Sequence, residues 1–298
     1  MAGRASLWEH PLVSSVAFHP RRCAPNTRHD PSRGGWIDNA IAIGDGIQIA
    51  YRIYVAPPRS EEPDAPPDRR PVLWYQHANA ELCTDMQGEE GLFYECGFRA
   101  VLCPEFRGFA WSTGKPSLTK LCPDAEIAFQ AIPEILADAG IQDAPIIVAG
   151  RSLGAACAVH IAATFPEHVA GLILESGCMS LLALPMVQEM GRMMPDMIQA
   201  LGQSSEPPNA MEKIRKVTSP ALFLHGDQDE IVPVEQAIAA HRTCGSTNKK
   251  LVRFRRSGHN DVRSTARSQY RTELSLMAQI ASGTCPPEAL LLQPPPSP

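Results

Sequence analysis

The chain has 298 residues, which is enough for one large α/β domain with a substantial core. Its residues are 44% hydrophobic and 20% charged, a composition that argues against general disorder. The net charge of -5 argues against nucleic acid as a main partner. Nine scattered cysteines, none spaced as C-x-x-C, argue against a zinc ribbon or a disulfide scaffold, so a reducing, cytoplasmic compartment is the default expectation.

The two ends of the chain differ from its middle, because residues 1–67 and 286–298 hold 15 of the 28 prolines. Residues 1–35 are interpreted as an irregular N-terminal arm with one short strand over residues 13–18. Residues 284–298 are interpreted as a proline-rich peripheral tail. Loss of residues 286–298 is therefore expected to leave activity intact.

No apolar run reaches the roughly 18 residues that a membrane span requires, so no transmembrane segment is expected. Any contact with a membrane is then expected to be peripheral. Several arginines in the N-terminal arm leave organelle targeting open as the alternative to the cytoplasm.

The middle of the chain, residues 36–283, alternates strand and helix patterns and is interpreted as a single α/β domain. Two β-prone runs on either side of Gly44-Asp45-Gly46 predict a hairpin near its start. Short apolar runs predict strands over residues 72–76, 100–103, 145–150, 169–175, 221–226 and 250–254. Helices are predicted over residues 85–96, 120–138 with a kink at Pro133, 153–165, 234–244 and 262–282. This alternation is typical of a mostly parallel sheet covered on both faces, whose chemistry lies at the carboxyl ends of the strands.

The interval over residues 177–215 is too long for a simple strand-helix-strand step and is rich in methionine. Met186, Met190 and Met197 recur at helical spacing, which predicts an amphipathic helix. Two compatible interpretations stay open: the helix packs on the core, or it forms a cap whose thioethers line an acyl pocket. Met179, Met186 and Met190 are the candidate substrate-binding residues.

The strongest motif is Gly150-Arg151-Ser152-Leu153-Gly154, which matches G-x-S-x-G and lies between a predicted strand and a predicted helix. A serine in such a turn is exposed above the sheet, and the turn requires small residues on both sides. The start of the helix supplies backbone amides for a developing oxyanion. Ser152 is therefore the candidate nucleophile.

A serine nucleophile requires a base and an orienting acid, which in this type of protein follow it in the order serine, acid, histidine. His259 follows the last predicted strand and is the candidate base. Asp229 follows an earlier strand and is the candidate acid, with Glu175 as the rival position. No spacing of His, Cys, Asp and Glu gathers three metal ligands, so neither a metal nor another cofactor is expected.

The second oxyanion donor is expected in the turn after the first parallel strand, which reads His77-Ala78-Asn79. The amide of Asn79, together with that of Leu153, is predicted to bind the tetrahedral oxyanion. A simple strand-to-helix loop is the alternative interpretation of this turn.

Taken together, these segments resemble the α/β-hydrolase superfamily, and within it the depalmitoylase-like subgroup. The resemblance covers roughly residues 36–277 and rests on the segments VLWYQHANAE, FRGFAWSTGKPS, GRSLGAACAV, IRKVTSPALFLHGDQDEIVP and GHNDV. It implies the α/β-hydrolase fold, a Ser152-His259-Asp229 triad, and hydrolysis of an ester or thioester, with a small-molecule ester or an acylated protein as substrate.

The sequence departs from this family at three points. Ala78 stands where the family usually has Gly, and an alanine would be strained there if the turn needs a positive φ. Glu105 replaces the more usual Asp, which is interpreted as a harmless change in loop packing. Cys23 is the sole cysteine in residues 1–80, so lipid anchoring through a cysteine cluster is not expected.

Two other functions stay open at the level of sequence. Peptidases and amide hydrolases of the S33 type share a similar nucleophile elbow. The motif therefore does not distinguish an ester substrate from an amide substrate. A non-catalytic binding protein on a hydrolase scaffold is the second alternative, because a fold by itself does not imply an activity.

Overall fold

The computed structural model describes residues 6–30, 33–59, 68–203 and 209–292. Within these ranges one sheet has the strand order β1-β2-β3-β5-β4-β6-β7-β8-β9. The strands are β1 (Arg28–Asp30), β2 (Gly34–Ala42), β3 (Gln48–Val55), β4 (Val72–Gln76), β5 (Ala100–Pro104), β6 (Ile146–Arg151), β7 (Gly171–Glu175), β8 (Ala221–Gly226) and β9 (Lys249–Phe254). The helices are α1 (Pro11–Ala17), α2 (Glu90–Glu95), α3 (Leu121–Gln130), α4 (Ile132–Asp138), α5 (Gly154–Thr164), α6 (Pro185–Met193), α7 (Pro195–Gln203), α8 (Ala210–Lys213), α9 (Val234–Thr243), α10 (Val262–Thr265) and α11 (Arg267–Ala281).

The sheet is mostly parallel, as the alternating pattern predicted. Strands β4 to β9 pair in parallel, whereas β1, β2 and β3 form an antiparallel edge. Strand β4 lies between β5 and β6, so the chain builds first on one side of β4 and then on the other. In open α/β sheets such a reversal leaves a crevice at the carboxyl ends of the strands. The loops after β4 and β6 border this crevice.

Strand burial explains why the sequence pattern was informative. Every residue of β4, β5, β6, β7 and β8 is buried, so these strands had to be apolar almost throughout. The predicted hairpin is formed by β2 and β3, and the predicted kink separates α3 from α4 directly before Pro133. The longest helix, α11, has 15 residues, and no helix in the described ranges is long and apolar enough to cross a bilayer.

The N-terminal arm is not irregular where the structure describes it. Residues 11–17 form the helix α1 instead of the strand predicted over residues 13–18. Pro11 occupies the first position of this helix, where a backbone N–H would have no partner within the helix. The His10 side chain accepts a hydrogen bond from the Leu12 amide. Trp8 and Phe18 are buried in the main hydrophobic core. The arm therefore belongs to the domain that it precedes.

Two further elements differ from the sequence predictions. The predicted methionine-rich amphipathic helix is divided into α6 and α7, because Pro195 interrupts the helical pattern. The C-terminal segment is packed at least as far as Leu290, which is fully buried within the 3-10 turn Pro287–Leu291. The expectation that everything beyond residue 286 is peripheral is therefore wrong for this turn. Residues 293–298 lie outside the described residues.

Replacing Leu290 with Ala is expected to lower the free energy of unfolding by about 3 kcal/mol, because it removes a fully buried side chain and leaves a cavity. Leu292 is 71% exposed, so Leu292→Ala is the matched control and should change this free energy by less than about 0.5 kcal/mol. Urea unfolding of the two variants measures the difference. Equal stability of the two variants would show that the turn does not contribute to the folded domain.

Candidate active site

Ser152 lies in the tight turn between β6 and α5 and has a positive φ of 50°, which is strained for a residue other than glycine. The two glycines of the motif explain how this turn is accommodated. A Cβ at Gly150 would overlap the backbone of Gly154 and Ala155, and one at Gly154 would overlap the carbonyl oxygens at the end of β4. The backbone of this turn therefore packs directly against the backbone at the end of β4, and the Ser152 side chain lies above the edge of the sheet.

Ser152, His259 and Asp229 form a continuous chain of hydrogen bonds. The Ser152 Oγ lies 3.0 Å from His259 Nε2, and His259 Nδ1 lies 2.8 Å from Asp229 Oδ2. A carboxylate only accepts, so Nδ1 carries the proton and Nε2 is left to accept the hydroxyl proton of Ser152. All three residues are buried, which limits competition from water. This is the geometry of a serine activated by a neighbouring base.

Asp229 is held as a carboxylate by several donors. Burial alone would raise its pKa, but hydrogen bonds from His225, His259 and the backbone amide of Val232 outweigh burial and hold the pKa well below its usual range. The Ile231 amide donates at 3.0 Å to Asp229 Oδ1, the oxygen that also accepts the Val232 amide. The side chain therefore keeps its negative charge and its orientation toward His259.

Glu175, the rival acid in the sequence analysis, has different partners. Its carboxylate accepts from Arg263 Nε at 3.1 Å and from the Tyr270 hydroxyl at 2.6 Å. Burial would raise its pKa, but the charges of Arg263 and Arg151 outweigh burial and lower it. Glu175 is thus occupied in a cluster of ion pairs, and Asp229 is the carboxylate that reaches His259.

The amides of Asn79 and Leu153 border the same cavity as Ser152. Within the described part of the chain, neither amide donates to another group of the protein. Ala78 does not adopt a positive φ, so the predicted strain at this position is absent. The positive φ, 67°, falls on Ala80 instead. The turn therefore tolerates an alanine at position 78, and the Asn79 amide that it carries has no partner in the described part of the chain.

Glu105 does more than fill space in its loop. It is buried, and its carboxylate lies 2.9 Å from His77 Nε2 and accepts the Cys83 amide at 2.6 Å. His77 begins the turn that carries Asn79, and its other ring nitrogen lies 2.8 Å from the carbonyl oxygen of Ala78. Glu105 keeps the carboxylate that the more usual Asp would supply, and through it links the turn that carries Asn79 to the end of β5.

Above Ser152 lies a cavity of about 580 Å³, within the usual range for small-molecule sites. Apart from the residues at the catalytic edge, its walls are mainly apolar. They include Trp8, Val13, Leu118, Leu182, Met186, Met190, Met197, Ile198 and Leu201. Two of the three candidate substrate-binding methionines, Met186 and Met190, thus line the cavity. Met179 does not, because it is buried in the core, with its backbone amide bound to Gln236.

The sequence analysis missed the N-terminal arm as part of this site. Trp8 and Val13 form part of the cavity wall, and the His19 amide donates to the Asn79 side chain at 2.8 Å. Glu9 fastens the arm to the domain, since its carboxylate accepts from Ser117 Oγ at 2.7 Å and from the backbone and side chain of Thr119. The available signal was Pro11 followed by apolar residues at helical spacing, which is typical of a short helix.

Comparison with protein families finds one match over residues 77–206, to the family described as alpha/beta hydrolase fold. The chain is 32% identical over 197 residues to "Protein bem46" of Schizosaccharomyces pombe, covering 66% of this chain and 64% of that protein. It is 29% identical over 200 residues to "Alpha/beta hydrolase domain-containing protein 17C" of Homo sapiens, covering 66% of this chain and 55% of that protein. The matched region is thus less than two thirds of the length of either relative.

Solved structures share the fold at low sequence identity. An esterase of Pyrococcus furiosus matches with a TM-score of 0.62 and 15% identity, covering 87% of this chain and 95% of the esterase. A thioesterase domain from the curacin biosynthetic pathway matches with a TM-score of 0.53 and 16% identity, covering 80% of this chain and 99% of that domain. At such identities these likenesses concern the fold alone.

Replacing Gly154 with Ala is expected to lower kcat/KM at least about 100-fold toward any substrate of this site, because the new Cβ would push the serine turn away from β4. Gly91 in α2 is the matched control, since a Cβ there meets nothing within 4 Å. Gly91→Ala should leave kcat/KM unchanged within about 2-fold and alter stability by no more than about 1 kcal/mol. Full activity of Gly154→Ala would contradict the close approach of the two backbones.

Proposed function

We propose that this chain is an α/β-hydrolase that acts as a serine hydrolase and cleaves an acyl ester or thioester. The observation that carries the proposal is the hydrogen-bond chain from Ser152 Oγ through His259 to Asp229 at the floor of an apolar cavity. Each element of the chemistry has a residue in position, and none requires a cofactor.

In the proposed reaction Ser152 attacks the acyl carbonyl carbon while its proton passes to His259 Nε2. The imidazolium that forms is stabilised by Asp229, whose lowered pKa keeps it ionised. The carbonyl oxygen becomes an oxyanion and accepts from the amides of Asn79 and Leu153, each contributing about 3 kcal/mol in the transition state. His259 then protonates the departing alcohol or thiol, which leaves an acyl group on Ser152.

The second half of the reaction repeats these roles with water. His259 removes a proton from water as the water attacks the acyl-enzyme, and a second oxyanion forms between the same two amides. Collapse of this intermediate returns the proton to Ser152 and releases the carboxylic acid. One water is consumed for each ester or thioester cleaved.

The cavity supports an acyl chain as the group that is bound. Its walls offer aliphatic, thioether and indole surface, and burial of a methylene from water is worth about 0.8 kcal/mol. Solved structures of the same fold include proteins named an esterase and a thioesterase, so the fold suits either leaving group. The amide hydrolase stays the alternative, because the walls away from the catalytic edge are mainly apolar and suit an acyl chain better than a peptide backbone. We further propose that residues 177–215 act as the cap over this acyl site.

Ser152→Ala is expected to reduce hydrolysis of p-nitrophenyl acyl esters by about 10⁴-fold or more and to abolish labelling by a fluorophosphonate. The exposed Ser268 on α11 provides the control, and Ser268→Ala should keep the wild-type rate and labelling. A fully active Ser152→Ala variant would end the proposal. An unlabelled, inactive wild-type protein would favour the non-catalytic binding protein.

The acyl-chain assignment predicts that wild-type kcat/KM rises with chain length across p-nitrophenyl esters from acetyl to palmitoyl. Met190→Trp should move the optimum to shorter chains, because a larger side chain would fill part of the cavity that Met190 lines. Met193 lies three residues further along α6, is 75% exposed and does not line the cavity, so Met193→Trp is the matched control.

The chain-length panel has two outcomes that would contradict the assignment. A wild-type preference for acetyl would show that the cavity is not an acyl site. The same shift in both tryptophan variants would show that the effect arises from the helix in general rather than from the cavity wall.

A further inference from the structure

Arg151, the residue directly before the candidate nucleophile, has a buried guanidinium that lies among three loops of the catalytic edge. Its side chain is 9% exposed. It forms an ion pair with Glu81 from the loop after β4 and a second ion pair with Glu175, whose Oε1 lies 3.2 Å from the Arg151 Nε. Its terminal nitrogen donates to the Asn260 side chain at 2.7 Å, in the loop after β9. One side chain therefore connects the ends of strands that are far apart in the sequence.

The contact with Glu81 bears on the oxyanion turn. One carboxylate oxygen of Glu81 pairs with Arg151, and the other accepts the backbone amide of Ala78 at 2.8 Å. Ala78 directly precedes Asn79, whose amide is the proposed oxyanion donor. The position of the Asn79 amide is thus tied to the guanidinium through one carboxylate.

Arg151 also contacts the loop that carries His259. The same terminal nitrogen of Arg151 also donates to the backbone carbonyl of His259 at 3.2 Å. Ser176 Oγ donates to that carbonyl as well, at 3.3 Å. The main chain that carries the base is therefore held from two directions, and Arg151 reaches both this loop and the oxyanion turn.

The guanidinium itself is fixed by a second ion pair beneath it. Glu175 binds Arg151 and Arg263 together, so two carboxylates and two guanidinium groups alternate from Glu81 to Arg263. The Arg263 guanidinium also donates to the Tyr75 hydroxyl at 2.7 Å. Opposite charges that neutralise one another can stay buried, and removal of one member leaves its partners uncompensated.

We propose that Arg151 is a positioning residue that holds the oxyanion turn and the histidine loop in one fixed geometry, an inference that rests on the proposed function. Its effect should appear in the transition state, when the Asn79 amide and His259 must act on the same intermediate. The planar guanidinium is suited to this task because its five N–H donors reach several acceptors at once, which an ammonium group cannot reproduce.

The test uses the full chain and compares wild type with Arg151→Met and Arg151→Lys on the best p-nitrophenyl ester. Arg151→Met should lower kcat on the order of 10²-fold while KM changes by less than about 2-fold, because the substrate is still bound but the reacting groups are misplaced. Arg151→Lys should recover part of the lost kcat relative to Arg151→Met, since a lysine keeps the positive charge but not the planar guanidinium with its several donors.

A matched control separates positioning from general destabilisation. Arg70 is 10% exposed and paired with Asp68, which is 27% exposed, closely matching the 9% and 30% of Arg151 and Glu81. It lies at the start of β4, at the opposite end of the strand from the oxyanion turn. Arg70→Met should lower the melting temperature but leave the kcat of the folded protein unchanged.

Glu81→Gln supplies the second measurement and keeps the test informative if Arg151→Met does not fold. It should lower kcat about 10-fold on its own, because the oxyanion turn loses its tie to the guanidinium. In the double variant with Arg151→Met the two losses should be far from additive, since both remove the same link.

Several outcomes would overturn the inference. They are a wild-type kcat in Arg151→Met, a rise in KM with kcat unchanged, an equal loss of kcat in Arg70→Met, or additive losses in the double variant. Ser152→Ala distinguishes these from failure of the proposed function. If Ser152→Ala is inactive and Arg151→Met is fully active, the inference alone fails, whereas an active Ser152→Ala removes the proposed function itself.

Discussion

The absence of a side chain at Gly154 is the constraint on which the rest of the site depends. A Cβ at this position would overlap the carbonyl oxygens of Gln76 and His77, so α5 can begin against the end of β4 only if this residue is glycine. The same close approach brings the Leu153 amide, at the start of the helix, beside the turn that carries Asn79. It also forces Ser152 into a positive φ. This one contact between backbones thus accounts for the positions of Ser152 and of the two amides that are proposed to bind the oxyanion.

A similar constraint acts at the other end of the site. A Cβ at Gly226 would overlap the carbonyl oxygens of Ser257 and Gly258, so the end of β8 touches the loop that leads to His259. Asp229 and His259 come from the loops that this contact brings together, 30 residues apart in the chain. The two close approaches therefore fix the nucleophile and its base independently of each other. Arg151 is the side chain that bridges the two halves.

The N-terminal arm adds the wall that the sheet cannot provide. A parallel sheet presents its chemistry at one edge, but that edge is open, and an acyl chain needs apolar surface on several sides. Trp8 and Val13 supply one side, and Phe18 anchors the arm by edge-to-face contacts with Phe106 and Phe109. The arm therefore contributes one wall of the cavity above Ser152.

The parts of the molecule that the sequence predicted are those whose signal is local. Strands β4 and β8 coincide with their predicted residues because a strand buried on both faces must be apolar throughout. The elbow was recognisable because its glycines and serine lie within five residues. The helix α1 was missed because seven residues carry little periodicity and its anchor at Glu9 bonds to residues more than 100 positions away.

The burial of a side chain and its contacts with residues distant in the sequence explain the remaining incorrect or missing predictions. Met179 was predicted to bind substrate together with Met186 and Met190, but the sequence does not show which methionine faces a cavity and which faces the core. Arg151 carried no signal of its own, because its partner Asn260 lies 109 residues away. Such contacts appear only once the order of the strands is known.

His77 and His259 are two of the buried histidines that lie beside a carboxylate at the carboxyl edge of the sheet, and their surroundings differ. In both, a ring nitrogen lies within hydrogen-bond distance of a carboxylate, at 2.9 Å for His77 and Glu105 and at 2.8 Å for His259 and Asp229. The second nitrogen of His77 faces the backbone carbonyl oxygen of Ala78, so both ring nitrogens lie against oxygen atoms of the protein.

His259 differs because its second nitrogen faces the hydroxyl of Ser152, which can donate. The His77 ring is also enclosed by Phe106, with ring centroids 4.6 Å apart, whereas His259 borders the cavity. The same pair of residue types therefore acts as a fixed support for the oxyanion turn in one place and can act as a base in the other. Of these two histidines, His259 is the one with a ring nitrogen beside a hydroxyl at the edge of the cavity, and this position supports the proposal that it is the base.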